Sequence, residues 1–244
     1  MKLLINMVTY NREVYTRKTL RSLWDSISDD ADYFLVVTDN ASTDGTQKYL
    51  KDLQNRGRLN ILILNPDNYY PGKACNIGWE RGLEVYDATH LMRLDNDMQL
   101  ERGWDKKVQE YFKAIPELGQ LGIDHEAIEH PSAPLHKRII NDYAINEWPG
   151  CVGGPCVIKR TLWDKGIRWP ELRWDDERNS NIQEDSTFSR AIKDAGYLVG
   201  HSQLELGRTF ATKDNWLDYP EYYMKTMASR GYDENVEYLK GLKK

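Results

Sequence analysis

The sequence of 244 residues has few cysteines, few phenylalanines and no long apolar run. Its three cysteines, Cys75, Cys151 and Cys156, are an odd number without zinc-ligand spacing, which argues against a disulfide framework and against a zinc site. No stretch is long enough to span a membrane, and the N-terminus has no signal-peptide pattern, so we expect a cytoplasmic protein. The formal net charge of −5 argues against tight non-specific binding to DNA.

Several common catalytic signatures are also missing. The chain has no Walker loop and no G-x-G-x-x-G motif, and no Ser-His-Asp or Cys-His arrangement can be assigned. It is instead rich in amphipathic aromatic residues, with 8 Trp and 15 Tyr against 4 Phe. Such side chains stack on sugars and bases as well as filling cores. The composition is therefore compatible with a carbohydrate or nucleotide ligand.

Apolar strands alternate with amphipathic helices through the first hundred residues. We predict strands at 2–9, 33–37, 60–64 and 89–94, separated by helices at 13–28, 43–54 and 73–86. Continuous apolar strands that alternate with helices indicate parallel pairing with helices on both faces of the sheet. The sequence thus predicts an α/β fold with a mostly parallel central sheet and a Rossmann-like nucleotide-binding half at 1–100, within a single domain over 1–244.

The remainder of the chain is less regular. We predict helices at 101–114, 161–165 and 183–195 and strands at 118–123, 152–159 and 197–202. Residues 125–148 form a long polar segment, and a loop of that length in a compact domain is usually functional or mobile. Residues 168–181 form a second irregular segment. A second half at 101–213 and a helical tail at 214–244 complete the predicted organisation.

Asp95 and Asp97 follow the fourth predicted strand, in the stretch HLMRLDNDMQL. Two carboxylates at i and i+2 lie on one side of an extended backbone, where they repel each other unless a cation lies between them. Mg²⁺ or Mn²⁺ suits such a pair, because both ions prefer oxygen ligands and can share them with substrate phosphates. The structural alternative is an acidic turn that caps the next helix. The position of the pair in the chain favours the metal.

Polar residues stand at the carboxyl end of each predicted parallel strand. Asn11, Asp39, Asn68 and Asp95 all fall there, and ligands bind beyond the carboxyl ends of the strands in such sheets. A carboxylate at position 39 can accept hydrogen bonds from a base or a ribose, although an ordinary turn would also explain it. Lys73 lies near a helix start and can reach a phosphate. These positions predict a ligand site at one edge of the sheet.

The pair Glu184-Asp185 opens the helix predicted at 183–195. Asp185 precedes Phe188 by three residues and therefore points to the same side of the helix. We interpret Asp185 as a general base at the floor of a cleft, with a first-turn acid favoured by the helix dipole as the alternative. His201 ends a strand near the same cleft and could be a ligand or a structural residue.

Six motifs follow one another in an order that resembles the family 2 glycosyltransferases with the GT-A fold. They are VTYNR, TDNASTDGT, NYYPGKACNIG, RLDND, GGPCVIKR and QEDSTFSRAIKDAG, and they extend to about residue 202. The resemblance implies a metal-dependent, inverting enzyme that transfers a sugar from a nucleotide-diphosphate sugar to an acceptor hydroxyl by a single displacement. UDP is the nucleotide that we expect.

The resemblance also implies a role for particular positions. Asp95 and Asp97 match the metal-binding D-x-D motif, whose Mn²⁺ or Mg²⁺ holds the diphosphate, and Asp185 matches the catalytic base. The other implied positions bind the nucleotide, at Thr9, Asn11, Asp39, Asn68 and Lys73, or face the donor sugar and the acceptor, at Gly153, Gly154, Trp174 and Glu184.

Two departures from the family pattern bear on the site. Tyr70 stands where the family often has glycine. The family often supplies a histidine metal ligand after the last strand, but Gly207-Arg208 falls near that place here, and His201 comes several residues earlier. We therefore consider His201 as the third metal ligand and Arg208 as a contact to the diphosphate.

Two alternative functions stay open. A sugar-phosphate nucleotidyltransferase can share a related scaffold, but it normally has a Gly- and Lys/Arg-rich loop after the first strand, which 10–13 does not provide. A non-catalytic sugar- or nucleotide-binding protein of the same fold is the second. The acceptor is equally open: a glycan, a protein, a small molecule, or a modified base in DNA, as some bacteriophage glycosyltransferases use. The oligomeric state is not predicted.

Overall fold

The structure is a computed structural model that describes residues 1–125, 136–147, 152–171, 174–175, 180–181, 183–229 and 233–242. The chain forms two compact units, Met1–Arg208 and Thr209–Lys244. All of the predicted site residues belong to the first unit. Within the described ranges, no helix combines the length and the apolar character that crossing a membrane requires.

The first hundred residues alternate strand and helix, as predicted. The elements are β1 (Lys2–Thr9), α1 (Glu13–Ser26), β2 (Asp32–Asp39), α2 (Thr46–Asn55), β3 (Ile61–Leu64), α3 (Tyr70–Leu83), β4 (His90–Asp95) and β5 (Met98–Leu100). The short strand β5 directly follows the D-x-D residues. The predicted boundaries lie within a few residues of those observed.

The rest of the first unit mixes shorter elements. They are α4 (Trp104–Ala114), β6 (Leu118–Gly122), β7 (His136–Ile140), β8 (Tyr143–Glu147), β9 (Cys156–Lys159), α5 (Arg160–Asp164), β10 (Trp174–Asp175), β11 (Ser180–Asn181), α6 (Glu184–Asp194), β12 (Leu198–Ser202) and β13 (Gly207–Thr209). Two small sheets, β10 with β11 and β13 with β5, accompany the large one.

The large sheet has nine strands in the order β3-β2-β1-β4-β9-β6-β12-β8-β7. The block β3-β2-β1-β4 is parallel, which confirms the predicted α/β fold with a Rossmann-like first half. Strand β9 is antiparallel to both β4 and β6, while β6 and β12 are parallel to each other. The chain reverses its direction of travel across the sheet at β1 and β4, and ligands bind at the carboxyl ends of strands at such a point.

One segment differs from the prediction. Residues 125–148 were expected to form a long loop, but 136–147 form the antiparallel hairpin of β7 and β8 at the edge of the large sheet. Asn141 and Asp142, at the turn, have φ angles of 46° and 68°. Consecutive left-handed residues of this kind make the tight turns that match strand twist. The Asn-Asp pair is therefore the signal that the prediction missed.

Apolar side chains cover both faces of the sheet. Alternate residues of β1 point to opposite faces, so that Ile5 packs with Leu20 of α1 in one cluster, and Leu4 packs with Trp79 of α3 in the other. Phe188 of α6 belongs to the second cluster. The helices that carry the candidate base and the nucleotide-binding positions therefore lie on the same face.

The second unit is helical over its described residues. It contains a 3₁₀ helix (Lys213–Asp218), α7 (Pro220–Ser229) and α8 (Asp233–Leu242). The ring of Trp216 stacks on Tyr223 with centroids 5.9 Å apart and meets Tyr238 edge-on at 6.4 Å. These aromatic contacts join the three helices. The helical tail predicted for 214–244 corresponds to this unit.

Candidate active site

Asp39, the last residue of β2, organises the loop that follows it. The carboxylate is fully buried and accepts hydrogen bonds from Thr9 Oγ1, the Ser42 backbone N–H and Gln47 Nε2, each at 2.9 Å. Gln47 is the only one of these three donors on a partly exposed residue. A nucleotide group that reached Asp39 would therefore compete with Gln47 first. Thr9, another predicted nucleotide contact, is held by this same carboxylate.

Backbone strain is concentrated in the loops at the carboxyl edge of the parallel block. Asn11, Arg12, Ala41 and Tyr70 have φ angles of 53°, 59°, 59° and 63°. Asparagine tolerates this left-handed region, but the other three residue types rarely adopt it. Such strain collects at ligand sites, where the surrounding structure holds it in place. Position 70, where the resemblance led us to expect glycine, has a conformation that glycine would adopt without strain.

Asn96, the middle residue of the D-x-D motif, connects the motif by hydrogen bonds to the loop after β1 and to α1. Asn96 Nδ2 donates to the Asn11 carbonyl at 3.2 Å and to Thr16 Oγ1 at 3.0 Å, while its Oδ1 accepts from Arg12 Nη2 at 2.7 Å. Arg12 Nη1 also donates to Asp97 Oδ2 at 2.8 Å. The structure thus brings Asn11, predicted as a nucleotide contact, together with the predicted metal site.

The pKa of the Asp97 carboxyl group is raised by its surroundings. Burial raises its pKa, the Arg12 guanidinium opposes that rise, and the neighbouring Asp95 carboxylate adds to it, so that the pKa of Asp97 lies above its ordinary value. A carboxylate whose ionisation is opposed by burial and by a neighbouring carboxylate is stabilised by a cation placed near both carboxylates. The electrostatics of the pair therefore favour binding of a positive ion.

Arg93, two residues before Asp95 on β4, lies at the centre of the site. Its guanidinium is 3.1 Å from Asp95 Oδ1, 2.7 Å from Glu184 Oε1 and 3.7 Å from Asp185 Oδ1. Burial alone would lower the pKa of Arg93, but the three carboxylates raise it well above its ordinary value. The residue is therefore a permanent cation that joins the predicted metal site to the predicted base.

Gly153 and Gly154 have unequal surroundings. A Cβ at Gly154 would lie 2.2 Å from Asp95 Oδ2 and 2.8 Å from Arg93 Nη2, whereas a Cβ at Gly153 would meet no atom of the described residues within 4 Å. Real Cβ atoms do not approach other atoms so closely as at position 154. The absence of a side chain at Gly154 therefore lets Asp95 and Arg93 occupy their places.

The remaining nucleotide-binding candidates lie at the start of α3, Asn68 two residues before the helix and Lys73 in its first turn. Asn68 Oδ1 accepts a hydrogen bond from the Tyr70 backbone N–H at 3.0 Å, and Lys73 Nζ lies 4.7 Å from the centre of the Tyr69 ring. A Cβ at Gly72 would lie 3.0 Å from Glu184 Cδ. The first turn of α3, which includes Lys73, therefore packs directly against the Glu184 carboxyl group.

His201 is not brought to the aspartate pair. Along the sheet Arg93 is opposite Cys156, Cys156 is opposite Gly122, and Gly122 is opposite His201. At ~4.8 Å per strand, three steps place the backbone of His201 roughly 14 Å from that of Arg93. The ring is buried against Gly122, where a Cβ would lie 2.4 Å from His201 Nδ1. This position corresponds to the structural interpretation of His201.

Arg208 and Trp174 lie in short strands. Arg208 belongs to β13, which pairs with β5 immediately after the D-x-D residues, and its guanidinium forms an ion pair with Glu205. Arg208 is therefore close in the fold to the predicted diphosphate site. Trp174 begins β10, which pairs with Ser180–Asn181, and its side chain lies outside the described part of the structure.

The residues present fit a divalent cation shared with a substrate. Within the described ranges, no group of three or more His, Cys, Asp or Glu side chains could hold a metal ion by itself. Asp95 and Asp97 supply two carboxylate groups of the kind that Mg²⁺ and Mn²⁺ prefer, with phosphate oxygens able to complete the set. Four carboxyl groups surround two guanidinium groups here, so the formal charge of the cluster is two units negative.

Sequence reasoning missed three residues of this site, namely Arg12, Arg93 and Asn96. Arg93 gave a signal, because it interrupts the apolar strand HLMRLD at a position that the strand buries. A buried charge requires a partner of opposite sign, and the acidic pairs at 95–97 and 184–185 were the available partners. Arg12 and Asn96 lay inside the quoted motifs, but their mutual contact joins residues 84 positions apart.

The strand order and the position of the carboxylates agree with the predicted α/β fold of the GT-A type. The chain belongs to glycosyl transferase family 2, because the sequence profile of that family matches residues 5–162. The family predicted from the motifs is thus confirmed. No curated protein matches the sequence significantly.

Solved structures share the fold at low sequence identity. S. aureus TarS 1–349 in complex with UDP-GlcNAc superposes with a TM-score of 0.63 and 18% identity, over 93% of this chain and 64% of that one. The mannosyltransferase PcManGT from Pyrobaculum calidifontis, in complex with GDP-Man and Mn²⁺, gives a TM-score of 0.60 and 15% identity, over 94% and 64%. The chain spans 40% of the length of the longer TarS structure. These likenesses establish the fold.

Proposed function

We propose that the chain is a metal-dependent, inverting glycosyltransferase that uses a nucleotide-diphosphate sugar. One observation carries this proposal: Arg93 brings the Asp95 carboxylate of the D-x-D motif and the Glu184-Asp185 pair to a single guanidinium group. A donor held at the first carboxylate and an acceptor held at the second would then be neighbours. The complexes of TarS with UDP-GlcNAc and of PcManGT with GDP-Man and Mn²⁺ support a donor of this class.

The nucleotide would bind at the carboxyl edge of the parallel block. Asp39 ends β2 and Asn11 lies on the loop after β1. Asn68 lies two residues before α3, and Lys73 lies in its first turn. Uridine is the base that we expect, and Asp39 would receive it or its ribose by displacing Gln47. Arg208, beside the D-x-D segment, would contact the diphosphate. A divalent ion held by Asp95 and Asp97 would offset negative charge on the departing diphosphate.

Asp185 would act as the general base. Its side chain is 41% exposed, in contrast to that of Glu184 at 17%, so it is the member of the pair that an acceptor can reach. The carboxylate takes the proton from the acceptor hydroxyl, the oxygen forms a bond to the anomeric carbon, and the bond from that carbon to the diphosphate breaks. One displacement inverts the anomeric centre, and no second carboxylate nucleophile is needed.

The test is turnover of nucleotide sugars by the purified protein with Mn²⁺, followed as release of nucleoside diphosphate with water or an added glycan as acceptor. We expect Asp185→Asn to lower kcat by about 10²–10⁴-fold, which is the usual contribution of a general base. Donor affinity, measured by calorimetry, should stay close to that of the wild type. Full activity of Asp185→Asn would contradict the assignment of the base, and the absence of turnover with every donor would contradict the proposed function.

A further inference from the structure

We propose that Arg93 is a positioning residue that fixes the Glu184-Asp185 pair relative to the D-x-D carboxylate, and that it does so from a platform made by Trp169 and Asn76. This inference rests on the proposed function, because it assigns the residue that aligns the base of that reaction. Arg93 itself contacts no reacting atom in this scheme. It acts through the carboxylates that surround it.

The first part of the argument is the stack beneath the guanidinium. Arg93 Cζ lies 4.5 Å from the centre of the Trp169 ring, and that ring stacks on Phe188 at 3.9 Å with an interplanar angle of 14°. Phe188 belongs to α6, the helix that begins with Glu184. Arg93 is therefore connected to α6 in two ways, by its ion pair with Glu184 and by the stacked rings of Trp169 and Phe188. A planar cation on an aromatic face is attracted to it and is held flat.

The second part is the fixation of Trp169 itself. Asn76 Nδ2 donates to the Trp169 carbonyl at 2.9 Å, and Asn76 Oδ1 accepts from the Trp169 backbone N–H at 3.1 Å. One buried side chain thus satisfies both polar groups of this residue's backbone. The absence of a side chain at Gly72 lets the same helix approach closely, since a Cβ there would lie 2.6 Å from the Pro170 carbonyl oxygen. Asn76 therefore holds the backbone of Trp169 in place.

The geometry of the guanidinium explains why an arginine is needed. Arg93 Nε faces Asp95 while Nη1 faces Glu184 and Asp185, so one rigid planar group addresses both acidic segments at once. A lysine ammonium keeps the charge but is a single point on a flexible stem. Arg93→Lys should therefore keep the positive charge in the site but lose the alignment of its carboxylates. A misplacement of about 1 Å in a reacting group can cost about 100-fold in rate.

The kinetic experiment compares three arginine-to-lysine variants in the nucleotide-sugar assay. Arg93→Lys should lower kcat by about 10–100-fold and leave the donor KM within about twofold of the wild type. Arg12→Lys should instead raise the donor KM, because Arg12 forms its ion pair with Asp97 of the D-x-D segment. Arg56→Lys is the matched control, since Arg56 makes a two-point contact with Asp52 on an exposed helix face and should behave like the wild type.

A second measurement does not depend on turnover. Melting temperatures of Arg93→Lys, Glu184→Gln and the double variant form a cycle that reports whether the two side chains are coupled. We expect the double variant to lose less than the sum of the two single losses. Additive losses would overturn the inference, as would an unchanged kcat in Arg93→Lys. Coupled melting temperatures without turnover by the wild type would overturn the proposed function, and with it the catalytic meaning of the coupling, while the ion-pair network would stand.

Discussion

Arg12 and Arg93 are the buried arginines of the described chain, with exposed fractions of 7% and 5%. Each is paired with one aspartate of the D-x-D motif. Removing one partner of a buried ion pair is strongly destabilising, by about 3–5 kcal/mol, because it leaves an uncompensated charge. The two arginines therefore hold the carboxylates in place and offset part of their negative charge. A variant that removes the charge at either position would lower stability as well as activity, so the two effects could not be separated. Charge-conserving variants are the informative ones.

The two adjacent glycines at 153 and 154 allow a matched test of the space around the D-x-D carboxylate. Gly154→Ala would place a Cβ 2.2 Å from Asp95 Oδ2, whereas the Cβ of Gly153→Ala would meet none of the described residues within 4 Å. We expect Gly154→Ala to weaken binding of the nucleotide diphosphate in the presence of Mn²⁺ by at least about tenfold, a loss of about 1.4 kcal/mol. Gly153→Ala should bind like the wild type.

Calorimetric titration of both glycine variants with UDP and Mn²⁺ provides the measurement, with circular dichroism to confirm that each is folded. Equal affinities for the two variants would show that Asp95 does not need the position that the structure gives it. The sequence alone predicted both glycines for the site, but it could not separate them. The two glycines differ because Asp95 and Arg93 of β4 lie close to Gly154, in the segment before β9.

Sequence reasoning at the residue scale identified acidic residues better than their partners. Asp95, Asp97, Glu184 and Asp185 were recognised from position and spacing, and the structure brings all four around two arginines. The partners could not be predicted in the same way, because pairing between distant segments depends on the register of the sheet. His201 was considered as a metal ligand from its place in the sequence, but the strand order, which the sequence does not reveal, places β12 three positions away from β4.

At the scale of single elements, β4 has two ends with different properties. Its carboxyl end carries the candidate site, and its first residue, His90, lies against Phe112 of α4 with ring centroids 4.6 Å apart. Burial, with Lys159 and the amino terminus adding to it, lowers the pKa of His90 from 6.5 to about 4. The imidazole is therefore neutral in the folded protein at neutral pH.

This lowered pKa of His90 makes stability depend on pH. Between pH 6.5 and pH 4 the unfolded chain binds a proton at this residue and the folded chain does not, so stability falls as the pH falls through that window. We expect the wild type to lose about 2 kcal/mol more than His90→Phe between pH 7.5 and pH 5.0. The phenylalanine keeps an aromatic ring against α4 and removes the titration.

Urea unfolding of both proteins at the two pH values measures this difference. A loss of stability in His90→Phe equal to that in the wild type would mean that another group, rather than His90, is responsible. Because β4 also carries Asp95, the nucleotide affinity of His90→Phe at neutral pH is a useful control. It should match that of the wild type, since the two residues lie at opposite ends of the strand.

Elements of the first half were predicted closely because each has a local signal. Strand β1 was predicted with the bounds that the structure shows, and α1 was predicted only two residues too long. The hairpin of β7 and β8 was missed, because its first strand is mostly exposed and lacks the apolar alternation that marks a half-buried strand. The antiparallel entry of β9 between β4 and β6 likewise depends on long-range pairing.

At the scale of the whole molecule, part of the excess negative charge lies at the candidate site. The chain carries a formal net charge of −5, and two of the excess negative charges lie among the four carboxylates around Arg12 and Arg93. A nucleoside diphosphate is itself an anion, and it would be repelled by this surplus. A divalent cation cancels that surplus, so metal and nucleotide should bind together rather than separately.

Co-dependence of metal and nucleotide is the central claim, and the melting temperature measures it directly. A ligand that binds only the folded state raises the melting temperature. In a panel of UDP, GDP and CDP with and without Mn²⁺, we predict that one nucleotide raises it when metal is present, and that the increase is lost without metal and in Asp97→Asn. An increase of the same size without metal, or none with any nucleotide and metal, would contradict the account.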